Sequence, residues 1–429
     1  LYPHTNGVWG NEMALGRDTW TLGQRLRDAN IHTAYIGKWH LSATDYFDTG
    51  ECPDGWDADY WFDGRNHLET LSDEMRLWSR NYHTPEEIRE ADYTREKTFA
   101  GGVTDRALDF LNNHNDEDFC LVVSYDEPHH PSIAPEPFCD MYHDYRFEIG
   151  PGAQDDLLDK PGHHRHWAET FGDGPKKSYQ DEKYYVLQPY FACNSFVDDE
   201  IGKVLDAIEA NAPGALVIYT SDHGEMMWAH RLSSKGPVMY EQITRIPFIM
   251  KGPHIPVDTV IQGPVGHADI TPTILDYFGV DCPPILQGKS LLEDASKGQS
   301  PDRPVIIEFN RHNVSNHSYG GFKPIRCIVN DRYKLVLNLL YTDELYDLQA
   351  DPDEINNQIE NPELVEVRND LHKKLLEWMD ETRDPFRGPE WEYRCWNHPE
   401  NLKWPKGKHP RPEDQYHQPV LDYLTGLEV

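Results

Sequence analysis

The sequence predicts a layered α/β fold, and three observations support this prediction. Short continuous apolar runs alternate with segments of helical periodicity over residues 1–300, a pattern typical of buried parallel strands joined by crossover helices. From about residue 300, short strands and turn residues lead into a helical run, which predicts an antiparallel sheet packed by one helix. The chain length of 429 residues is also enough for one large domain and a smaller one.

Four apolar runs are predicted as strands of the large domain. They are TAYIG (33–37), FCLVVSY (119–125), ALVIYT (215–220) and IPFIM (246–250). Helices are predicted for residues 18–29, around 94–112, for 194–211 and from 269 onward. In the third of these, apolar residues recur at helical spacing: Phe196, Val197, Ile201, Val204, Leu205 and Ile208. The fourth begins at Asp269, which is expected to cap it, with Pro272 in the first turn.

The smaller domain is predicted over residues 301–383, after a large α/β domain over 1–300. Its strands are expected in RPVIIEF, PIRCIVN, YKLVLNL and ELYDLQ, and its helix over 362–381. The last stretch, 384–429, is rich in Pro, Trp and His and shows little periodicity. We expect this tail to be irregular and to wrap the surface or a neighbouring subunit, which allows a homo-oligomer.

Composition limits the classes of partner. The chain has 40 Lys and Arg residues and 74 Asp and Glu residues, which gives a net charge of -34. This charge disfavours long-range attraction to nucleic acid or to an anionic membrane. An anionic substrate would therefore need a local group of cations or a metal ion, while the acidity itself indicates a solvating surface or a saline habitat. No run approaches the ~20 apolar residues that cross a bilayer. We expect a soluble protein; any targeting segment, which would decide its compartment, would precede Leu1.

The seven cysteines are scattered, odd in number and without metal-type spacing. Most are interpreted as small buried apolar residues, and no disulfide framework is predicted.

Three of the predicted strands end in polar clusters. TAYIG leads into Lys38, Trp39 and His40, FCLVVSY into DEPHHPSIAP, and ALVIYT into SDHGE. Ligands of open α/β sheets bind at the carboxyl ends of the strands. The three clusters are therefore predicted to converge on one pocket.

The first cluster allows a geometric prediction. If strand geometry continues through residue 40, Lys38 and His40 point to the same side and Trp39 points away. Taken alone, a Lys-Trp-His sequence is also compatible with no function.

The other two clusters each have two interpretations. Asp222 and His223 can ligate a divalent metal, with Gly224 allowing a sharp turn, or Ser221 or Asp222 can cap a helix. Lys235 is suited to an oxyanion, or it is a solvated surface lysine. His129 and His130 lie in a proline-rich loop that either holds a general acid or shapes an ordinary turn.

Together these motifs resemble the type I, formylglycine-dependent sulfatases of the alkaline-phosphatase superfamily, closest to bacterial carbohydrate sulfatases. The resemblance rests on YIGKWHL, ECP followed by WDADYWFDG, VVSYDEPHHP, YTSDHGEMM and DELYD, in this order. It runs from YPHTNGV at 2–8 to RDPF at 383–386, about nine-tenths of the chain. It implies an alkaline-phosphatase-like mixed sheet sandwiched by helices, with a smaller C-terminal lobe.

The resemblance also implies roles for single residues. Lys38 and Lys235 match the lysines that hold the sulfate oxygens. His40 matches the histidine beside the catalytic aldehyde hydrate, and His129 matches the one that binds and assists the leaving oxygen, a step that Lys235 shares. Asp222 and His223 match metal ligands, with His where many relatives have Asn; the implied ion is Ca²⁺, with Mg²⁺ as the alternative.

The nucleophile departs from the family pattern. Sulfatases mature a cysteine or serine in C-x-P-x-R to formylglycine, and no cysteine of this chain stands in that motif. We expect the motif upstream of Leu1, about a dozen residues before YPHTNGV, together with one or two further Asp ligands.

The expected function is hydrolysis of a sulfate monoester, most simply on a carbohydrate. Lysines and a divalent cation stabilise the charge of such a transition state, and an acid protonates the leaving oxygen. The same groups suit a phosphate or phosphonate ester, and without its nucleophile the chain would be an anion-binding pseudoenzyme. The aromatic segments WDADYWFDG and EWEYRCW are candidate sugar-stacking walls or core.

Overall fold

A computed structural model describes residues 1–42, 46–145, 147, 150–171, 184–314, 320–397 and 424–425. The chain forms two compact units. The first unit comprises Trp20–Glu148 and Pro175–Val217, and the second comprises Leu1–Thr19, Ile149–Gly174 and Ile218–Val429.

The described part of the chain contains thirteen α-helices. They are α1 Pro3–Asn6, α2 Leu22–Asp28, α3 Gly64–Thr70, α4 Asp73–Trp78, α5 Pro85–Glu90, α6 Phe99–Asn113, α7 Gly162–Phe171, α8 Tyr184–Asn211, α9 Glu241–Thr244, α10 Ile270–Tyr277, α11 Leu292–Lys297, α12 Val365–Glu381 and α13 Pro389–Glu392. Short 3₁₀ turns occupy Arg95–Lys97, Pro151–Gln154, Ala229–Arg231, His267–Asp269 and Pro362–Leu364.

The described strands confirm all eight predicted runs. They are β1 His32–Gly37, β2 Phe119–Ser124, β3 Val217–Thr220, β4 Phe248–Lys251, β5 Val305–Phe309, β6 Ile325–Val329, β7 Tyr333–Asn338 and β8 Glu344–Asp347. Strands β1 and β2 pair in parallel, β3 pairs with β4, and β5 to β8 form an antiparallel sheet in chain order.

The first unit is built on the parallel pair of β1 and β2, with His32 opposite Phe119 and Gly37 opposite Ser124. Helix α6 packs its apolar stripe against these strands. Thr98 begins the helix by accepting a hydrogen bond from the amide of Gly101. The buried cluster is Ala34, Ile36, Phe62, Val103, Ala107, Phe110, Leu111 and Val204.

Helix α8 follows the predicted spacing with one exception. Phe196, Val197 and Val204 are buried, whereas Leu205 is 44% exposed and does not belong to the buried face. A stripe at 3.6-residue spacing has a limited width, and Leu205 lies at its edge.

The second unit contains the four-stranded antiparallel sheet, and its long helix α12 packs on that sheet. Leu371, Leu375 and Met379 of the helix share a core with Ile328, Leu335, Leu337 and Leu345 of the strands. This arrangement confirms the predicted small antiparallel sheet with one helix.

The structure differs from the sequence-based predictions at the starts of two helices, α2 and α10. Helix α2 begins at Leu22 because Thr21 and Gln24 form a capping box there. Asp269 does not cap α10; its carboxylate accepts hydrogen bonds from the amides of Gly266 and Lys289 and pairs with Arg303 at 2.8 Å. Pro272 does lie in the first turn of α10.

The predicted irregular tail is partly ordered in its first section. Asp384 and Trp391 are buried, and Trp391 and Trp396 belong to the core of the antiparallel sheet. Residues 398–423 and 426–429 of the tail lie outside the described residues. The homo-oligomer and the predicted domain limits at 300 and 383 stay predictions.

The seven cysteines form no disulfide, and Cys120, Cys139, Cys193 and Cys327 are buried. Among the described helices, none combines the length and the apolar composition of a membrane span.

Candidate functional site

The end of β1 places Lys38 beside the end of β2. Gly37 has φ 118°, and a Cβ at this position would lie 1.9 Å from the carbonyl oxygen of Ser124. Only glycine allows this approach. The amide of Lys38 then donates to the same carbonyl at 2.9 Å, and its Nζ lies 3.4 Å from Asp126 Oδ1.

The geometric prediction for His40 is wrong in its premise. Strand β1 ends at Gly37, and His40 has φ 56°, so strand alternation does not reach residue 40. The backbone amide of His40 instead donates to the carboxylate of Asp48. Its ring contacts Tyr46, with centroids 5.7 Å apart.

Trp39 packs in an aromatic cluster. Its ring lies 4.9 Å from that of Tyr35 and 5.6 Å from that of Trp61, both edge-on. Trp61 and Phe62 are buried, as is Trp391 in the second unit. These rings of the two aromatic segments are therefore core residues.

The loop after β2 places His129 against Tyr46. The amide of His129 donates to the carbonyl of Asp126 at 3.0 Å, and the hydroxyl of Ser132 donates to the carbonyl of Pro128 at 2.8 Å. The His129 and Tyr46 rings stack at 4.6 Å. The His129 Nδ1 lies 3.0 Å from the carbonyl of His130, a distance that fits a proton on Nδ1.

These side chains line a cavity of ≈ 280 Å³ in the first unit. Lys38 and Arg80 supply its positive charge, and Arg80 lies 4.7 Å over the ring of Phe47. Trp39, Tyr46 and Phe47 form aromatic walls. Sequence reasoning missed Tyr46 and Arg80, because neither belongs to a strand-end motif; Tyr46 lies six residues after His40, the only hint that the sequence offers.

Buried polar atoms around the cavity lack hydrogen-bond partners among the described residues. They include the hydroxyl of Tyr46, Oδ1 of Asp48 and Oε2 of Glu127. Burial, followed by the charge of Asp126, raises the pKa of Glu127 to about 7. Unsatisfied polar atoms at a cavity are typical of a site that binds water or ligand.

The SDHGE segment of the second unit is not a helix cap, because residues 221–228 include no helix. Gly224 is required for a close approach: a Cβ would lie 2.0 Å from the carbonyl oxygen of Gln242. Its amide donates to the carbonyl of Ile243 at 2.8 Å. The segment is thereby fixed against the residues that precede β4.

Asp222 and His223 fit a shared divalent cation. His223 Nδ1 lies 2.9 Å from the carbonyl of Gly224, and its Nε2 lies 3.3 Å from Asp222 Oδ2. Two ligands at ~2.3 Å from one ion and at a right angle are ~3.3 Å apart. Anchoring of the second ring nitrogen by a carbonyl is also typical of metal-binding histidines.

Lys235 follows a loop with unusual backbone conformations. Met227, Trp228, His230, Arg231 and Ser234 all have positive φ. Such conformations cost free energy and concentrate at functional loops. Gly236 closes the loop, since a Cβ there would lie 2.8 Å from the ring of Trp167.

His312 is a neighbour of this group that the sequence did not indicate. Its pKa is lowered first by burial, then by the charge of Lys235, and to a smaller extent by His223, while Glu12 opposes the change. The structure therefore groups Lys38, His40 and His129 within the first unit, and His223 and Lys235 around His312 within the second. The predicted single pocket stays a prediction.

Comparisons with known proteins identify the family. The sequence profile described as Sulfatase matches residues 1–280, and that of the N-sulphoglucosamine sulphohydrolase C-terminal region matches residues 229–381. An uncharacterized sulfatase YidJ of Escherichia coli is 44% identical over 434 residues, covering 100% of this chain and 85% of the relative. An N-acetylglucosamine-6-O-sulfatase of Bacteroides thetaiotaomicron is 25% identical and covers 90% of this chain and 76% of its own length.

A solved structure shares the fold. It was determined in complex with its substrate D-glucosamine-2-N,6-O-disulfate, and it superimposes with a TM-score of 0.69 at 20% identity, over 90% of this chain and 86% of that one. The profile match over 1–280 and the full-length relative at 44% identity show that this chain belongs to the type I sulfatases of the alkaline-phosphatase superfamily, which are sulfuric ester hydrolases.

Proposed function

We propose that this sulfatase removes sulfate from a carbohydrate, with Lys38 and His129 acting on the ester and Asp222 and His223 holding a divalent cation. The observation that carries the proposal is the cavity of the first unit, where a lysine and a histidine meet aromatic walls. The related N-acetylglucosamine-6-O-sulfatase supports a sugar as the substrate.

Lys38 is suited to hold a sulfate oxygen. Its ammonium group lies 5.2 Å from the centre of the Tyr46 ring and 3.4 Å from Asp126, so it is held at the cavity rather than extended into solvent. A charge-assisted hydrogen bond to an anion is stronger than a neutral one. Lys235 is proposed to hold a second sulfate oxygen, the role that the resemblance to the sulfatases implies for it.

His129 is suited to donate a proton to the leaving sugar oxygen. Its Nδ1 proton is engaged by the carbonyl of His130 and its ring is fixed by the stack on Tyr46. A proton on Nε2 is then presented in one orientation, which a general acid requires. His40, whose ring also contacts Tyr46, is proposed to move a proton on the nucleophile.

The cation would be held by Asp222 and His223. Ca²⁺ is proposed because the resemblance implies further Asp ligands, and carboxylate oxygens suit a hard ion. When bound, it would supply positive charge to the sulfate oxygens. The nucleophile is proposed to be formylglycine, as in the rest of the family.

The cavity also supports recognition of the sugar. Its aromatic walls of Trp39, Tyr46 and Phe47 offer apolar faces, and Arg80 offers a fixed cation. We propose that Arg80 contacts a hydroxyl or second anionic group of the sugar and takes no part in cleavage of the ester.

The test uses the full-length gene product expressed with its maturation machinery. Sulfate release from 4-nitrophenyl sulfate and from a panel of sulfated sugars is compared with phosphate release from the matching phosphate esters. We expect sulfate release to be faster by orders of magnitude. Preference for the phosphate esters would contradict the proposal.

The Arg80→Ala variant separates sugar binding from chemistry. We expect a raised KM for the preferred sugar sulfate and an unchanged kcat/KM for 4-nitrophenyl sulfate. An equal loss on both substrates would assign Arg80 to the chemical step or to folding.

A further inference from the structure

A cluster of two histidines and one carboxylate lies in the first unit, at the end of the strands opposite Lys38. His32 is the first residue of β1, His114 follows the last turn of α6, and Glu117 lies in the connection to β2. Six residues of extended strand separate His32 from Lys38, a distance of roughly 20 Å. The cluster is therefore separate from the cavity described above.

The ligand atoms of the three side chains converge. His32 Nδ1 lies 3.0 Å from Glu117 Oε1, and His114 Nδ1 lies 2.5 Å from the same oxygen. One ligand atom from each residue can be chosen so that all lie within 4.8 Å of one another. The two imidazole rings meet edge to face with centroids 4.5 Å apart.

The second nitrogen of each ring has its own partner. His32 Nε2 lies 2.7 Å from Asp57 Oδ2, and His114 Nε2 lies 3.2 Å from the hydroxyl of Tyr60. Protons on both Nε2 atoms satisfy these contacts and leave both Nδ1 lone pairs directed at Glu117. Metal-binding histidines typically have such a partner, which fixes the tautomer and the ring orientation.

Two lone pairs and a carboxylate that face one another repel unless positive charge lies between them. That charge can come from added protons on the two imidazoles or from one metal ion. Ligands at ~2.0–2.1 Å in a tetrahedron are ~3.3 Å apart, so a small opening of the observed contacts would admit an ion. The ligand type favours zinc over the calcium or magnesium expected at Asp222, because imidazole nitrogen suits first-row transition metals.

We propose that His32, His114 and Glu117 form a zinc site that fastens the start of β1 to the end of α6. The side chains are 21%, 23% and 43% exposed, so an ion can enter from solvent and a water can complete the tetrahedron. Zinc here would add one cross-link between the start of β1, the end of α6 and the connection to β2. Its role is to stabilise the parallel pair of strands on which the first unit is built.

The experiment titrates Zn²⁺ into the full chain by calorimetry, with excess Ca²⁺ present to occupy the hard-ion site, and repeats the titration in an Asp222→Ala background. We expect one zinc per chain in both. Co²⁺ in place of zinc should give the visible absorption of a tetrahedral site. Zinc should also raise the melting temperature.

Variants assign the site to these residues. Glu117→Gln, which keeps the shape of a half-exposed side chain, should lose the zinc-dependent rise in melting temperature and the Co²⁺ absorption. Tyr60→Phe removes the partner of His114 Nε2, and Asp57→Asn removes the negative charge of the partner of His32 Nε2. Each change should weaken zinc binding by ~10–100-fold. His143→Ala removes an exposed histidine of the same unit and serves as the matched control.

The proposal is overturned if the wild-type chain shows no zinc binding at one equivalent, which would mean that protons hold the cluster together. It is also overturned if Glu117→Gln binds zinc as tightly as the wild type and the His143→Ala control. A His114→Ala variant that fails to fold leaves the proposal testable by Glu117→Gln and Tyr60→Phe.

Discussion

Replacement of Gly224 by alanine tests whether the turn after β3 positions the proposed metal ligands Asp222 and His223. The new Cβ would lie 2.0 Å from the carbonyl oxygen of Gln242 and 3.0 Å from its carbon. An ordinary contact is at least ~3.4 Å, so the two segments must separate by more than ~1 Å. The hydrogen bond from the Gly224 amide to Ile243, 2.8 Å long, would be lost or stretched.

The expected cost follows from these two effects. Overpacking costs about 1–3 kcal/mol, and the lost hydrogen bond costs about 1 kcal/mol. We therefore expect Gly224→Ala to lower the free energy of unfolding by about 2–4 kcal/mol, measured by urea denaturation. Because Asp222 and His223 belong to the same turn, the folded variant should also bind Ca²⁺ more weakly and lose most of its sulfatase activity.

Gly202→Ala is the matched control. A Cβ at Gly202 meets no atom within 4 Å, and the residue lies within helix α8, where alanine is favoured over glycine by up to about 1 kcal/mol. This variant should be as stable as the wild type or more so, with full activity. Full specific activity of the folded Gly224→Ala variant would refute the reasoning, since the turn would then not position the metal ligands.

Three further predictions use single substitutions. Lys38→Ala should lower kcat/KM for a sulfate ester by ~100-fold, through loss of a charge-assisted contact worth a few kcal/mol, whereas Lys373→Ala on the exposed face of α12 should leave the rate unchanged. Asp222→Ala should lose the bound divalent cation, measured by elemental analysis, together with nearly all activity; Asp370→Ala, also exposed on α12, should lose neither. Burial raises the pKa of Glu127 from 4.5 to about 7, so the stability that its neutral form contributes is present below pH 4.5 and is lost as the pH rises through 7. Glu127→Gln should therefore gain stability relative to the wild type between pH 5 and pH 8, by up to roughly 3 kcal/mol in urea denaturation. A constant difference across that range would show that Glu127 does not titrate there.

Several strands and helices were predictable because the apolar patterns that indicate them are local in sequence. The apolar runs at TAYIG and FCLVVSY became β1 and β2 with ends within two residues, since a strand buried on both faces needs a continuous apolar run. The alternation of four short strands and one helix in the C-terminal region also identified its antiparallel sheet. Each of these predictions depends on neighbours within about ten residues.

The errors arose where distant residues decide the local conformation. His40 leaves strand geometry because Gly37 turns against Ser124 and the amide of His40 bonds to Asp48. Asp269 was predicted to cap a helix, but its carboxylate is bound by the amide of Lys289 and by Arg303. Neither partner can be inferred from the residues adjacent in sequence.

By itself, the sequence determined the α/β class, the strand runs and the residues that carry charge at their ends, because hydrophobic periodicity and residue type are local properties. Only the tertiary structure decided which side chains meet. It stacks Tyr46 on His129, places Arg80 over Phe47, and brings His114 and Glu117 to His32 across more than 80 residues of chain. Such contacts depend on how strands and helices pack, and packing follows from the burial of apolar faces that are far apart in sequence.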